Sequence, residues 1–277
     1  MPVALKWNKQ TILTITIVVI VMILIVYVYQ DHRFKLRPHV KDMWIINLDK
    51  DTKRLENIYK RTGHIQEIVH RWPATYGKDL TREQLKPEGV GYAMTRTGNQ
   101  KDDLAGVLRN AGVVGCWLSH KRLLTHLATL DVPEYYGHLI LEDDVDIPAD
   151  FLKPSDEWHK VYTRVPTDWD MVYFGLTQPL GSPIGERILK AYSAKPGHEG
   201  NWGTQAYMVR HGSIKTKLLP ALAYMTDAID EQYNDHFNDW NVYVVEPAII
   251  KLDAEMSADS SLLKVNVGAK DDIKMSY

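Results

Sequence analysis

The chain has 277 residues, of which 45% are hydrophobic and 25% are charged, a composition typical of globular proteins. Its formal net charge of -2 argues against a general nucleic-acid-binding protein, which would carry a strongly basic surface. The single cysteine, Cys116, excludes a fold held together by internal disulfides, although it does not exclude an oxidising compartment.

A stretch near the amino terminus, 11–29, contains no charged residue. A helix of this length just spans a bilayer, and Tyr27 and Tyr29 lie where interfacial aromatic residues are expected. A cleaved signal peptide is the alternative, but the apolar run is too long for one and no small-residue cleavage site follows it. We therefore predict a short tail at 1–10 and a retained single-pass anchor at 11–29, with the lipid bilayer as a partner. Counting Lys and Arg slightly favours a cytoplasmic C-terminal part, and the side of the membrane stays open.

The part after the anchor begins as an alternating α/β pattern. A compact apolar strand is predicted at 43–48, and a helix is predicted at 49–61. Strand, short loop and helix form the opening of an α/β unit. Asn47, Asp49 and Arg54 are therefore expected around the carboxyl end of the first strand.

The later elements are predicted from apolar periodicity and from the turn residues between them. In chain order they are a strand at 65–72, a long loop at 78–111, a helix at 112–130, a buried strand at 139–141, a helix at 148–163, a strand at 170–175, an edge strand at 188–192, a mobile segment at 196–202, a strand at 203–209, a helix at 213–224, a helix from 226 and a strand at 241–245. A polar, frayed tail is expected from residue 259 onward.

The buried strand at 139–141 stops in four carboxylates, Glu142, Asp143, Asp144 and Asp146. Mutual repulsion makes such a cluster costly unless it is solvated or shares a cation. Open α/β sheets also bind their ligands at the carboxyl ends of strands. We interpret the cluster as a divalent-metal site that receives an anionic, diphosphate-containing substrate. A solvated, Asp-rich turn is the alternative.

The helix at 112–130 carries Cys116 and His120 on one apolar stripe. This pattern favours a hydrogen-bonded core histidine over a metal ligand at position 120. It also favours a buried small residue over a catalytic thiol at position 116. Gly112 and Gly115 permit a close backbone approach at the start of the helix.

Seven segments resemble, in the same order, the motifs of glycosyltransferase family 25. The correspondences are 46–49 with Arg54, Ala-x-x-Gly at 74–77, Gly-x-x-Gly-Cys-x-x-Ser-His at 112–120, Glu-Asp-Asp at 142–144, an Asp-bearing strand at 169–172, Gly-Thr-x-Ala-Tyr at 203–207 and a hydrophobic-Asp element at 228–230. Each motif is short, so the specificity lies in their common order.

The resemblance implies an α/β GT-A fold, which is a Rossmann-like nucleotide-sugar-binding fold, in a single domain at 43–260. A linker at 30–42 would precede this domain and a polar tail at 261–277 would follow it. The implied reaction is an inverting transfer of a hexose, galactose or glucose, from a UDP-sugar, with Mn²⁺ or Mg²⁺ as the cofactor. The acceptor would be a hydroxyl of a glycan, a lipid-linked glycan or a hydroxylysine-type protein. The region 78–111 matches no family motif, which leaves the acceptor open.

The roles of the site residues also follow from the resemblance. Asp144 is the expected metal ligand, with Asp146 as an alternative ligand, and Glu142 is expected beside the ribose. An inverting transfer needs a base for the acceptor hydroxyl, and Asp230 is the first candidate and Asp170 the second. The remaining residues expected around the nucleotide sugar are Asn47, Asp49, Arg54, Ser119, His120, Asp143, Gly203 and Thr204.

Two other functions would use the same acids. A metal-dependent phosphohydrolase would also need a nucleophile or a second site rich in His and Asp, and the sequence contains no such cluster. A non-catalytic carbohydrate-binding protein would keep the fold without the chemistry, and the intact acidic triplet argues mildly against it.

Overall fold

The computed structural model describes residues 9–90, 111–194 and 200–257 of the chain. Backbone contacts divide the chain into two compact units, Met1–Arg37 and Pro38–Tyr277. Most of the predicted loop at 78–111, most of the segment at 196–202 and the tail from residue 259 lie outside the described residues. The predicted N-terminal tail is described only at its last two residues. The predicted domain boundaries remain predictions.

The first unit contains one described helix, α1 (Lys9–Lys35). Within 9–35, no residue is buried, and the helix is long and apolar enough to cross a bilayer by length and composition. It extends beyond the predicted span of 11–29 at both ends. An ion pair of 2.7 Å between Lys35 and Asp31, one helical turn apart, supports the last turn.

The second unit is built around a mixed β-sheet. The described strands are, in chain order, β1 (Val40–Asn47), β2 (Val69–Pro73), β3 (Gly137–Glu142), β4 (Val145–Asp146), β5 (Met171–Thr177), β6 (Gly181–Gly185), β7 (Ile188–Ala191), β8 (Trp202–Arg210), β9 (Val242–Val245) and β10 (Lys251–Leu252). Eight of them form one sheet in the spatial order β2-β1-β3-β8-β5-β9-β7-β6, while β4 and β10 form a separate antiparallel pair. Of these eight described strands, only β7 and β8 run against the direction of the other six.

Helices pack on this sheet and also occur in the segments that connect its strands. The described helices of the second unit are α2 (Thr52–Thr62), α3 (Arg82–Leu85), α4 (Ala111–Leu127), α5 (Glu157–Val161), α6 (His211–Ser213), α7 (Leu219–Ala221), α8 (Ile229–Asn234) and α9 (Ala254–Ser257). A π-helical turn, Ile214–Leu218, joins α6 to α7.

Two apolar layers lie on opposite faces of the sheet because its central strands are buried on both sides. Along β5, Tyr173 belongs to the same layer as Trp117 of α4, whereas Phe174 belongs to the layer that contains Trp158 of α5. The period of two along a strand produces this division. The observed α/β architecture therefore agrees with the predicted class.

Several predicted elements change in detail. The helix predicted at 148–163 is α-helical only over Glu157–Val161, where Asp156 accepts a hydrogen bond from the His159 amide and caps the first turn. The strand predicted as an edge at 188–192 is an inner strand, because β6 lies outside it. The two glycines and the proline of β6 weaken its strand signal, although such residues are tolerated at an edge.

Candidate functional site

The fold brings three segments together at one edge of the sheet. Asn47 ends β1 and Glu142 ends the neighbouring parallel strand β3, while Gly203 and Thr204 lie near the start of the antiparallel strand β8. This edge is where an open α/β sheet provides a crevice for a ligand.

Two adjoining pockets open at this edge. Among the residues that line the first pocket are Arg54, Tyr76, Lys78, Ser119, His120 and Asp143. Among those that line the second pocket are Thr177, Trp202, Gly203, Thr204, Ile229 and Asp230. Cys116, Glu142 and Asp144 line both pockets and therefore form the boundary between them.

Asp143 is fully engaged within the protein. One carboxylate oxygen accepts a hydrogen bond of 2.8 Å from Arg54 Nη1, and the other accepts one of 2.6 Å from Asn47 Nδ2. Burial raises the pKa of Asp143, and these two donors partly offset that effect. Asp143 therefore acts as an anchor that fixes Arg54 beside the first pocket.

Asn47 and Asp49 differ in their distance from the pocket. Asn47 is buried, and Arg71 Nε donates a hydrogen bond of 3.0 Å to its side-chain oxygen. Asp49 has an 84% exposed side chain that pairs with Arg71. Asn47 thus positions Asp143. Asp49, by contrast, lines neither pocket as the described residues define them.

Glu142 is held on the boundary by two neighbours. Its Oε1 accepts a hydrogen bond of 2.6 Å from Thr204 Oγ1, and the same oxygen lies 3.5 Å from His120 Nε2. Burial acts to raise the pKa of Glu142, but His120 and Thr204 favour the charged form and the net pKa is lowered. Glu142 is therefore a charged carboxylate at neutral pH.

Asp144 is the incompletely satisfied acid of the cluster. Its Oδ1 is buried and, within 9–90, 111–194 and 200–257, has no hydrogen-bond partner. Its Oδ2 lies 3.8 Å from Arg54 Nη1. Burial and the neighbouring Glu142 raise the pKa of Asp144 to about 7. An added cation would give the buried oxygen a partner and would stabilise the charged form of Asp144. Carboxylate oxygens are ligands that Mn²⁺ and Mg²⁺ prefer, so these residues fit such an ion.

The structure does not bring Asp146, which the sequence analysis gave as an alternative metal ligand, to the position of Asp144. Asp144 lies in the turn after β3, whereas Asp146 lies in β4, where Val145 is buried and Asp146 points outward. The Asp146 side chain is 51% exposed and pairs with Arg61. The turn interrupts the strand alternation, so two residues that are close in sequence face different surroundings.

Asp230 lies in the first turn of α8 and lines the second pocket. Its Oδ2 accepts a hydrogen bond of 2.8 Å from the Gly203 amide, and its Oδ1 accepts one of 3.0 Å from the Glu231 amide. Burial raises its pKa, and these amides partly offset the effect. Gly203 has φ of +93°, and a Cβ atom at this position would lie 2.0 Å from Gln205 Oε1, so this contact requires glycine.

Asp170, the second candidate base, lies at the opposite end of the sheet. It immediately precedes β5, whose last residue Thr177 lines the second pocket. Its carboxylate accepts hydrogen bonds from Ser213 Oγ, Lys217 Nζ and the Asn241 amide. The length of β5 therefore separates Asp170, the second predicted base, from the pockets.

Comparison with known proteins relates the chain to one family. The model of glycosyltransferase family 25, described as an LPS biosynthesis protein family, matches residues 40–165. These residues include β1, α2, the described part of α4 and the acidic turn. A protein of Anopheles gambiae named "Glycosyltransferase 25 family member" is 25% identical over 216 residues, which are 72% of this chain and 34% of that protein.

Proteins with the same name in Drosophila pseudoobscura pseudoobscura and Aedes aegypti are 27% and 26% identical over 144 and 140 residues. These matches cover 51% and 49% of this chain and 21% of each relative. The findings support the assignment of the chain to glycosyltransferase family 25. The chain spans a fifth to a third of the length of these curated relatives.

Some residues of the segment 112–120, which resembles a family motif, have a structural role. A Cβ atom at Gly115 would lie 2.6 Å from the Thr75 carbonyl oxygen, and one at Gly77 would lie 1.8 Å from the Ala111 carbonyl oxygen. Ser119 Oγ accepts a hydrogen bond of 2.8 Å from the Thr75 amide. The glycines and Ser119 therefore hold the 74–77 turn against α4, which confirms the expected close approach at Gly115 and forms one wall of the first pocket.

His120 combines the two interpretations that the sequence left open. It is completely buried, and its Nδ1 lies 2.7 Å from the Tyr207 hydroxyl, as expected for a core histidine. The opposite ring nitrogen faces Glu142, and the residue lines the first pocket. His120 is thus a buried side chain with one edge on the site.

Sequence reasoning missed several residues of the pockets. Lys78 and Tyr76 line the first pocket, and Lys50 Nζ lies 4.4 Å from the centre of the Tyr76 ring. Trp202 lines the second pocket beside Gly203. Each lies within or next to a segment that resembles a family motif, and this proximity was the signal available in the sequence.

Proposed function

We propose that this chain is a membrane-anchored glycosyltransferase that moves a hexose from a UDP-sugar to an acceptor hydroxyl with inversion at the anomeric carbon. The assignment to family 25 supports glycosyl transfer. The observation that carries the proposal is the buried Asp144 oxygen at the boundary of the two pockets, which lacks a partner within the described ranges. In a sugar nucleotide the diphosphate lies between the nucleoside and the sugar. A cation at the boundary of the two pockets would therefore lie beside the diphosphate.

The two pockets suit the two parts of such a donor. Arg54 and Lys78 place positive charge in the first pocket, where the nucleoside diphosphate would bind, and Tyr76 offers an aromatic ring there. Trp202 and Asp230 line the second pocket, which would receive the hexose and the acceptor hydroxyl. The boundary residues would then lie beside the diphosphate.

Asp144 would hold Mn²⁺ or Mg²⁺ in this proposal, and Glu142 would lie beside it on the ribose side. The ion, when bound, would supply positive charge that stabilises the diphosphate leaving group. Asp143 acts indirectly by fixing Arg54, whose guanidinium adds positive charge to the same boundary.

Asp230 would accept the proton of the acceptor hydroxyl. Its two carboxylate oxygens are oriented by the amides of Gly203 and Glu231, and its raised pKa brings it closer to that of an effective general base. The acceptor oxygen would form a bond to the anomeric carbon while the bond from that carbon to the diphosphate oxygen breaks. The proton would go to Asp230, which balances the transfer.

We extend the proposal to a GT-A fold, to galactose or glucose as the sugar, and to anchoring through α1. The mixed α/β sheet with an acidic turn at the end of β3 supports the first point. The apolar length of α1 supports the last. The proposed acceptors are a glycan, a lipid-linked glycan or a hydroxylysine-type protein.

The full-length protein in detergent provides the test. UDP- and GDP-sugars would be screened with Mn²⁺, with Mg²⁺ and with a chelator, and the release of nucleoside diphosphate and of free sugar would be measured. The proposal expects metal-dependent cleavage of a UDP-hexose, followed by sugar transfer once an acceptor is added. Release of inorganic phosphate instead would indicate a phosphohydrolase. Binding of free sugar without any cleavage of a donor would indicate a carbohydrate-binding protein.

A further inference from the structure

The boundary between the pockets contains a second group of potential ligands with different chemistry. Cys116 Sγ, a His120 ring nitrogen and a Glu142 carboxylate oxygen all lie within 4.8 Å of one another. Cys116 and His120 are four residues apart on α4, so the helix places both side chains on one face. Glu142 reaches the same point from the end of β3.

The imidazole of His120 is oriented for a ligand. The side chain is completely buried, and its Nδ1 is occupied by the Tyr207 hydroxyl. Its Nε2 is a buried atom that forms no hydrogen bond with any part of the chain that the structure describes, although it lies 3.5 Å from Glu142 Oε1. A hydrogen bond at one ring nitrogen that fixes the other toward a metal is the usual arrangement of histidine ligands.

We propose that Cys116, His120 and Glu142 form a binding site for Zn²⁺. Thiolate, imidazole and carboxylate together are ligands that Zn²⁺ prefers, whereas Mn²⁺ and Mg²⁺ prefer oxygen ligands such as Asp144. Three protein ligands leave the fourth tetrahedral position open to water or to a ligand in either pocket.

The spacing of the three atoms is compatible with this ion. Ligand atoms around a tetrahedral Zn²⁺ lie about 3.3–3.6 Å apart, as the usual Zn–N, Zn–O and Zn–S bond lengths require. The separation of 3.5 Å between His120 Nε2 and Glu142 Oε1 already meets this value. Side-chain rotation of Cys116 needs only to shorten a separation of at most 4.8 Å to about 3.5 Å.

The charge around the thiol also favours a cation. Burial, together with the negative charges of Glu142, Asp230 and Asp144, raises the pKa of the Cys116 thiol well above its ordinary value, and a bound cation would act in the opposite direction. A Zn²⁺ ion would replace the mutual repulsion of these negative charges by attraction. Because Glu142 belongs both to this site and to the proposed donor site, Zn²⁺ would occupy the boundary that the diphosphate needs. Inhibition of transfer by Zn²⁺ therefore rests on the proposed function, whereas Zn²⁺ binding does not.

The binding test uses full-length protein in detergent, without a histidine tag. Co²⁺ is added as a spectroscopic probe and then displaced with Zn²⁺, whose affinity is measured by competition with a chromophoric chelator. We expect a near-ultraviolet charge-transfer band from the Cys116 thiolate to Co²⁺. Cys116→Ser should abolish this band and weaken Zn²⁺ binding by about 10²-fold, whereas the control variant Asp146→Asn, at an exposed position that lines neither pocket as described, should change it less than about threefold.

Two results would overturn the site. One is equal Zn²⁺ affinity in the wild type and in Cys116→Ser, and the other is a loss in Asp146→Asn as large as that in Cys116→Ser. Cys116→Ala serves as a second variant if the serine hydroxyl disturbs folding, and thermal melting confirms that each variant is folded.

An activity measurement separates this site from the proposed function. With Mn²⁺ present, Zn²⁺ should inhibit transfer by the wild type, and Cys116→Ser should need about 10²-fold more Zn²⁺ for the same fractional inhibition. Equal sensitivity of both proteins to Zn²⁺ would contradict the inhibitory role. If no sugar nucleotide is cleaved at all, the proposed function fails while the cobalt band still decides whether the zinc site exists.

Discussion

The two ends of the central sheet both bury carboxylates, but they satisfy them differently. At the amino end, Asp170 accepts hydrogen bonds from a hydroxyl, an ammonium group and a backbone amide, and Asp42 pairs with His138. At the carboxyl end, Asp144 Oδ1 is buried without a hydrogen bond to the chain over the described ranges, and Asp230 accepts hydrogen bonds from the backbone amides of Gly203 and Glu231. A buried acid is therefore not by itself a sign of a site.

The two ends differ in how much of the hydrogen-bonding capacity of their buried carboxylates is left unused. A buried charge without partners destabilises the folded state, whereas an acid with a full set of donors supports it. The raised pKa of Asp144, caused by burial and by Glu142, expresses this cost directly. We infer that the carboxyl end retains this destabilising charge because a bound cation and substrate remove its free-energy cost. Four predictions test this contrast.

The largest effect is expected for Asp144→Asn. This change removes the charge for the proposed metal while keeping the shape of the side chain. Transfer should fall by about 10⁴-fold at saturating Mn²⁺, since a metal supplies several kcal/mol of transition-state stabilisation. Thermal stability without metal should stay equal or rise, because a buried, repelled charge is lost. Initial rates and calorimetry measure the two effects.

Asp146→Asn is the matched control, because its exposed side chain lies outside both pockets as the described residues define them. It should keep nearly the wild-type rate. More than a tenth of the wild-type rate in Asp144→Asn would remove Asp144 from the metal site.

Asp230→Asn should lower kcat by about 10²–10⁴-fold, because the amide cannot accept the proton of the acceptor hydroxyl. UDP affinity, measured by titration calorimetry with Mn²⁺, should change little. Asp227→Asn is the control, since the Asp227 carboxylate accepts a hydrogen bond from the neighbouring Ala228 amide and does not line the second pocket as described. Unchanged turnover in Asp230→Asn would exclude the role of base.

Asp170→Asn tests the amino end, where the opposite pattern is expected. The variant should lose about 3 kcal/mol of unfolding free energy, because Lys217 loses its charged partner and the three-donor arrangement is disrupted. The activity of the folded fraction should be unaffected. Urea unfolding measures the loss. Asp168→Asn, at an exposed position two residues earlier, should cost less than about 1 kcal/mol, and a similar loss in both variants would contradict the assignment.

The smallest effect concerns pH and the buried Asp42–His138–His211 chain at the amino end. Burial and the neighbouring His138 and Lys215 lower the pKa of His211, against the opposing effect of Asp42 and Glu134. The unfolded chain then binds the proton more readily than the folded protein does. The contribution of His211 to stability should therefore be lost as the pH falls from about 6.5, the ordinary pKa of histidine, through the lower folded value.

Unfolding free energies measured between pH 7.5 and pH 5.5, both chosen as about one unit either side of the ordinary histidine pKa, test this expectation. His211→Gln should lose less stability than the wild type over this fall in pH, because the opposite contribution of Asp144, whose pKa is raised to about 7, is common to both proteins. Identical slopes in the two proteins would show that His211 does not cause the effect.

Some elements could be predicted from local pattern because their cause is local. The uninterrupted apolar run of α1, the 3.6-residue periodicity of α4 and the opening strand and helix are visible in the sequence, and the structure confirms them within a few residues. The strand β6 was missed because its glycines and proline carry no strand signal, and its place at the edge depends on pairing with β7.

The sequence by itself determined that a carboxylate cluster follows a buried strand, since both features lie within eight residues of chain. It ranked Asp230 before Asp170 and Asp144 before Asp146 only through the family resemblance, because the residues next to each acid do not show what surrounds its carboxylate. The tertiary structure placed Asp170 one strand length from the pockets and turned Asp146 toward Arg61. Which acid retains unused hydrogen-bonding capacity depends on donors from distant parts of the chain, and only the folded arrangement brings those donors together.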